Sequence, residues 1–149
     1  MNLTEALAAA DATFEILPHR RTDTALAEAR AVGYPPELVA KTVIVDARGQ
    51  RVRVVVPASR HVSLEKLAAV LGDDARLLHE DELARAYPEF ELGAVPPVGG
   101  PDDRTIVDVR VAERPTVIVE AGVHDVSLKV PARDLVAVAH ADVADVADG

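Results

Sequence analysis

The sequence contains no cysteine. Disulfides, a thiol nucleophile and any cysteine-ligated zinc site are therefore excluded, and the chain suits a reducing compartment. It also lacks any apolar run approaching the roughly twenty residues that cross a bilayer. Glu5 is present near the N-terminus and no early Lys or Arg is, so Ala6-Leu7-Ala8-Ala9 reads as helix and not as the apolar centre of a signal peptide. A cytoplasmic location is the expectation. The usual catalytic signatures are missing too. His19, His61, His79, His124 and His140 fall in no metal-binding spacing such as His-Glu-x-x-His. Ser59, Ser63 and Ser127 lack a Gly-x-Ser-x-Gly elbow, and no Gly-rich phosphate loop opens a helix. Neither a metal nor a cofactor is expected.

What is present suffices for one domain. A chain of 149 residues that is 49% hydrophobic can bury a continuous core without staples. Its formal net charge of −9 argues against a general nucleic-acid binder, which needs clustered Lys and Arg to neutralise phosphates. The charge is uneven, however. Between Pro18 and Lys66 stand nine Lys or Arg against five Asp or Glu, a local excess of four positive charges, so the remainder carries −13. Such a split permits an anionic partner on one face, and it equally fits solvated charges scattered by chance.

Periodicity and capping signals order the elements. Asn2 with Glu5 predicts a first helix over about 3–12, Phe14-Glu15-Ile16-Leu17 a short strand, and Thr22, Asp23 or Thr24 the cap of a helix from Ala25 to Val32 that stops at Gly33. Glu37 to Ala40 reads as one helical turn. β-branched residues crowd Lys41–Asp46 and Arg51–Val56, predicting a hairpin joined by Ala47-Arg48-Gly49-Gln50. Ser63 caps a helix through Leu71, stopped by Gly72, with Val62 and Leu67 at the spacing of a hydrophobic staple. Arg76–Leu78 is a short strand, and Glu80–Ala86 a short helix ended before Pro88. Strands follow at Thr105–Val109, Thr116–Ala121 and Val126–Val130. Pro131 suits the first position of a last helix to about His140, and 141–148 continues a weak helical pattern. No internal repeat is present. The mixture predicts a single α/β domain with a mixed sheet flanked by helices.

Two features stand out chemically. Lys41 begins an apolar strand, where burial lowers a lysine pKa or its ammonium meets a phosphate or carbonyl; a lysine there can also simply reach solvent. The stretch Glu91–Pro101 packs three Gly and three Pro among apolar residues. Restricted φ at Pro and permissive φ at Gly can hold backbone groups pointing into a cleft, or just form a rigid turn.

Taken together, Ala40-Lys41-Thr42-Val43-Ile44-Val45, then Gly93-Ala94-Val95-Pro96-Pro97, then Ala121-Gly122 before a strand and Pro131-x-x-Asp134-Leu135 resemble the YbaK and prolyl-tRNA synthetase-associated (INS-like) editing domain family. The likeness runs from about Phe14 to Leu135, with His19 at the family's His position after the first strand. It implies a compact α/β domain with a curved mixed sheet, acting in trans on the ester of a mischarged aminoacyl-tRNA: a small residue such as Ala or Cys on tRNA-Pro or a similar tRNA. By the same resemblance Lys41 takes the family's functional lysine role, while Gly93, Ala94, Val95, Pro96 and Pro97 line the aminoacyl pocket. His19, Gly122 and His124 are further pocket candidates. The family leans on the substrate's ribose hydroxyl or thiol more than on a protein base, which suits a chain without a triad. Two departures are visible: Leu17-Pro18 replaces a Tyr found in some cysteine-specific relatives, and Ser127 stands where those relatives carry an acid. Gly122-Val123-His124-Asp125 is closer to the branch with a His near that Gly, which leaves alanyl-tRNA or another small residue open.

The implied partners are the acceptor end of an aminoacyl-tRNA, facing the basic stretch from Arg20 to Lys66, and an aminoacyl-tRNA synthetase. The rival reading is a non-catalytic module that keeps the fold and binds tRNA, a synthetase or a small ligand, which the net charge of −9 favours.

Overall fold

A computed structural model describes residues 2–91, 95, 97 and 104–149. Helix α1 (Leu3–Ala9) starts where the Asn2 side chain accepts from the Glu5 backbone N–H at 2.8 Å, and it ends three residues before the expected 12. Strand β1 (Glu15–Pro18) follows. Helix α2 (Ala25–Val32) has both predicted ends: the Thr24 hydroxyl accepts from Ala27 N–H, and Gly33 takes a left-handed φ of 78°. A short 3-10 turn, Pro36–Leu38, replaces the helical turn expected at 37–40, because Ala40 already belongs to a strand.

The hairpin pairs β2 (Ala40–Ala47) with β3 (Gln50–Pro57). Ala47 pairs with Gln50, so the turn is only Arg48-Gly49, both at positive φ (52° and 83°). Such two-residue turns match the right-handed twist of the flanking strands, which is why the ladder includes the outer two residues of the expected four-residue connection. Asp46 Oδ1 accepts from Gly49 N–H at 2.7 Å.

The chain continues through β4 (His61–Val62), α3 (Leu64–Leu71, capped by Ser63), β5 (Arg76–Leu77), α4 (Glu80–Ala86) and β6 (Arg104–Asp108). A short helix that the patterning did not suggest, α5 (Val109–Ala112), then leads to β7 (Thr116–Glu120) and β8 (Val126–Pro131). Helix α6 (Ala132–Val138) uses Pro131 as its N-cap and not as its first turn, since Pro131 still pairs with Thr116 in the sheet.

The mixed sheet has the order β5-β2-β3-β6, with β3 and β6 parallel. Its last strand comes from the tail: β9 (Asp142–Ala144) lies parallel to β6, and β10 (Ala147–Asp148) pairs with β4. This corrects the helix expected over 141–148. Local pattern could not choose, but Asp108 does: its buried carboxylate accepts from the backbone N–H of Val146 at 3.0 Å and of Arg110 at 3.1 Å, and an interior helix would consume the first of these donors. Val146 and Ala147 are fully buried against Val52, Val54 and Ile106. A separate antiparallel sheet, β1-β8-β7, packs with α1 and α6 around Val117, Val119, Leu128 and Leu135.

Among the described residues no helix is long and apolar enough to cross a membrane. Asp108→Ala leaves Val146 N–H buried without its acceptor. It is expected to lower the unfolding free energy by about 3 kcal/mol in urea titration, and an unchanged midpoint would show that the tail strands are held by other contacts.

Candidate functional site

The two sheets meet at a parallel bridge between Val39 and Ile118, both buried. Two residues further along each strand stand Lys41 in β2 and Glu120 in β7. Both line one cavity of about 130 Å³, with Thr24 and Glu28 of α2, Thr42 and Val95. Larger and more open hollows lie elsewhere, one beside Arg60, Arg110 and Arg114, one beside Asp46 and Arg85, and an apolar one beside Ile44 and Leu77. None of them holds the lysine or the buried acids.

Burial alone pushes the Lys41 ammonium pKa down. Glu28 is fully buried, and desolvation raises its carboxyl from an ordinary 4.5 to about 7, against the opposing hydrogen bond from Ser127. Glu120 is raised further, to about 8, first by burial and then by repulsion from Glu28 and Glu91. The cavity therefore holds two acids that are substantially protonated near neutrality, beside a lysine less basic than usual.

Behind Glu28 runs a chain of polar groups. Ser127 Oγ and Glu28 Oε2 share a hydrogen bond of 2.5 Å, and His19 Nε2 lies 2.9 Å from the same Ser127 oxygen. His19 Nδ1 is 2.6 Å from the Arg20 carbonyl, and its backbone N–H donates to Asp125 O. On the other side, buried His124 places Nδ1 3.4 Å from Glu120 Oε2 and Nε2 3.9 Å from Glu91 Oε2, and Arg21 pairs with that Glu91 oxygen at 2.8 Å.

Of the residues singled out from sequence, Lys41 and Val95 line the cavity together. His19 and His124 flank it through Glu28 and Glu120 and do not line it. Pro97 sits apart from the lining, with its carbonyl accepting from Thr105 Oγ1 at 3.4 Å. Gly122 has a packing role: at φ 99°, an added Cβ would lie 2.8 Å from Phe90 Cδ1, and its carbonyl accepts from Glu91 N–H. Gly93, Ala94 and Pro96 lie outside the described residues. Glu28 and Glu120 escaped the sequence reading. A signal existed for Glu28, because positions 25, 28, 29 and 32 share one helical face and the other three are apolar. Glu120 ends an apolar strand much as Lys41 begins one.

Part of the basic stretch from Arg20 to Lys66 is neutralised or buried. Arg53 is 1% exposed with its guanidinium 5.0 Å from the Tyr87 ring, Arg48 pairs with Asp73, and Lys66 with Asp145 and Asp148. Arg20, Arg30 and Arg51 remain exposed.

Both raised carboxyls make the folded chain bind more protons than the unfolded one between their ordinary and raised pKa values, so stability falls as pH rises through that window. Thermal melts are expected to show the loss from about pH 4.5 to about 8. Glu120→Gln should flatten it, and a variant with the wild-type slope would place the titration elsewhere.

The model of the aminoacyl-tRNA editing domain family matches residues 19–138. The crystal structure of hypothetical protein APE2540 superposes with a TM-score of 0.90 at 27% identity, covering 98% of this chain and 99% of that one. A candidate trans-editing enzyme for prolyl-tRNA synthetase superposes at 0.82 with 24% identity, over 99% and 95% of the two chains. With a mixed α/β architecture of this kind and a family match spanning most of its length, the chain belongs to the aminoacyl-tRNA editing domain family.

Proposed function

We propose that the chain, acting over 1–149 as one domain, is an aminoacyl-tRNA deacylase that hydrolyses the ester of a small mischarged residue such as Ala or Cys. The observation that carries this reading is the convergence of Lys41, Val95 and two buried acids on one small cavity. A volume of about 130 Å³ suits a short aminoacyl side chain. An aminoacyl ester is already activated, so the main work of the site is to position a water and polarise the carbonyl, and no cofactor enters the scheme. Lys41 contacts the terminal adenosine or its phosphate, where its modest basicity costs nothing because the anion restores its charge. The stretch 93–97, which contributes Val95 to the lining, orients water and ester, and Gly122 and His124 hold the wall behind it.

The proposed setting is cytoplasmic. The acceptor end of the tRNA meets exposed Arg20, Arg30 and Arg51 on a chain whose net charge is −9, so affinity comes in part from a synthetase such as the prolyl enzyme. A panel of radiolabelled aminoacyl-tRNAs tests the reading. The wild type is expected to release a small amino acid well above the spontaneous rate. Lys41→Ala should lose at least tenfold in kcat/KM, on the order of 1.4 kcal/mol of transition-state binding, with the melting temperature unchanged. No turnover of any member, with retained binding of uncharged tRNA, would make the protein a binding module instead. Full turnover by Lys41→Ala would remove the lysine's role.

A further inference from the structure

The proposed reaction needs a proton to leave the attacking water and later reach the ribose oxygen, and nothing assigned so far moves it. Glu28 is placed to do so. Its Oε2 is bonded to Ser127, whereas its Oε1 is buried without a hydrogen-bond partner at a residue that lines the cavity. Ser127 is fully buried and bridges Glu28 to His19, which is only half-buried and opens to solvent.

The hydrogen-bond directions in this chain are linked. The Arg20 carbonyl can only accept, so His19 Nδ1 carries a proton. Nε2 then either accepts from Ser127, with Glu28 protonated on Oε2, or donates to Ser127 as an imidazolium, with Glu28 ionised. These two arrangements contain the same protons and interconvert by short hops along 2.5 and 2.9 Å contacts. Burial raises the Glu28 carboxyl to about 7, so it holds a proton that an ordinary glutamate would have lost at neutrality. The other titratable groups lining the cavity with Glu28 are Glu120, whose own pKa Glu28 helps to raise, Lys41 and Asp23.

We propose that Glu28, Ser127 and His19 form a proton relay in which Glu28 is the general base and acid of the cavity and His19 its terminus. The proposal rests on the deacylase reading for its substrate. As water bonds to the ester carbonyl carbon, its proton passes to Glu28 Oε1, the Oε2 proton to Ser127 Oγ, and the Ser127 proton to His19 Nε2. The carbonyl oxygen takes the negative charge and His19 the positive one. When the bond from carbonyl carbon to ribose oxygen breaks, the three transfers reverse: Glu28 Oε1 protonates the ribose oxygen, and His19 returns its proton through Ser127. Water and ester become carboxylic acid and alcohol, with the relay restored. Glu28 is the catalytic residue; Ser127 and His19 act through it.

Kinetics on the aminoacyl-tRNA that the wild type turns over test the relay. Glu28→Gln is expected to lose about a hundredfold or more in kcat. His19→Ala should lose about tenfold in kcat with KM unchanged, and added imidazole should restore the rate in proportion to its free base. His19→Gln, which keeps a hydrogen bond to Ser127 and cannot carry the proton, should be as slow with an unchanged melting temperature. In the His19→Ala, Ser127→Ala double variant imidazole should rescue nothing. Wild-type kcat in His19→Ala, or its loss without rescue, would overturn the relay while leaving the deacylase intact. A readout without substrate separates the two further. Nitrogen NMR of His19 should show Nε2 responding to Glu28→Gln, and that response should vanish in a Ser127→Ala background. A response in a protein that turns over no aminoacyl-tRNA would refute the substrate and retain the coupling; no response would refute the relay itself.

Discussion

The site depends on one backbone contact, the parallel bridge between Val39 and Ile118. It is the place where a mixed sheet and an antiparallel sheet, which also share an apolar cluster of Ala40, Val55 and Val107 with Val117 and Val119, are fixed in register. Because side chains follow backbone register, residues two steps along from the bridge come to one cavity: a lysine from one sheet and a glutamate from the other. Helix α2 closes the third side. Its burial of Ala29 against Val39 and Ile118 draws Glu28, one residue earlier, into the same interior.

Holding two carboxyls in that interior is costly unless they are neutral, and their raised pKa values near 7 and 8 are how the fold meets the cost. A proton retained for electrostatic reasons is also a proton available for transfer. Ser127, where the resemblance to cysteine-specific relatives implies an acid, is instead hydrogen-bonded to a carboxylate from α2, that of Glu28. Stability and chemistry are thus coupled at one cluster, with Arg21, Glu91 and His124 enclosing its far side.

Much of the fold was legible because its signals are local. Thr24 and Gly33 bound α2, Ser63 and Gly72 bound α3, and the β-branched runs of β2 and β3 declared a hairpin. Where the signal was weak the reading failed. The tail, with Ala and Val spaced among Asp, suits a helix as well as a strand, and Asp108, more than thirty residues away, decides between them. Of the candidate site, Lys41 and Val95 were legible through resemblance, and Glu28 and Glu120 were not. A glutamate's burial depends on what packs over it.

The sequence by itself determined the punctuation of the chain: caps, glycine stops, the β-branched hairpin and the family to which their order belongs. Those follow from backbone preferences and short-range hydrogen bonds. Only the tertiary structure decided which charges are free, which are neutralised and which acids keep their protons, because desolvation and register arise between segments that lie far apart along the chain. Lys41 beside Glu120, and Glu28 joined through Ser127 to His19, are facts of that second kind.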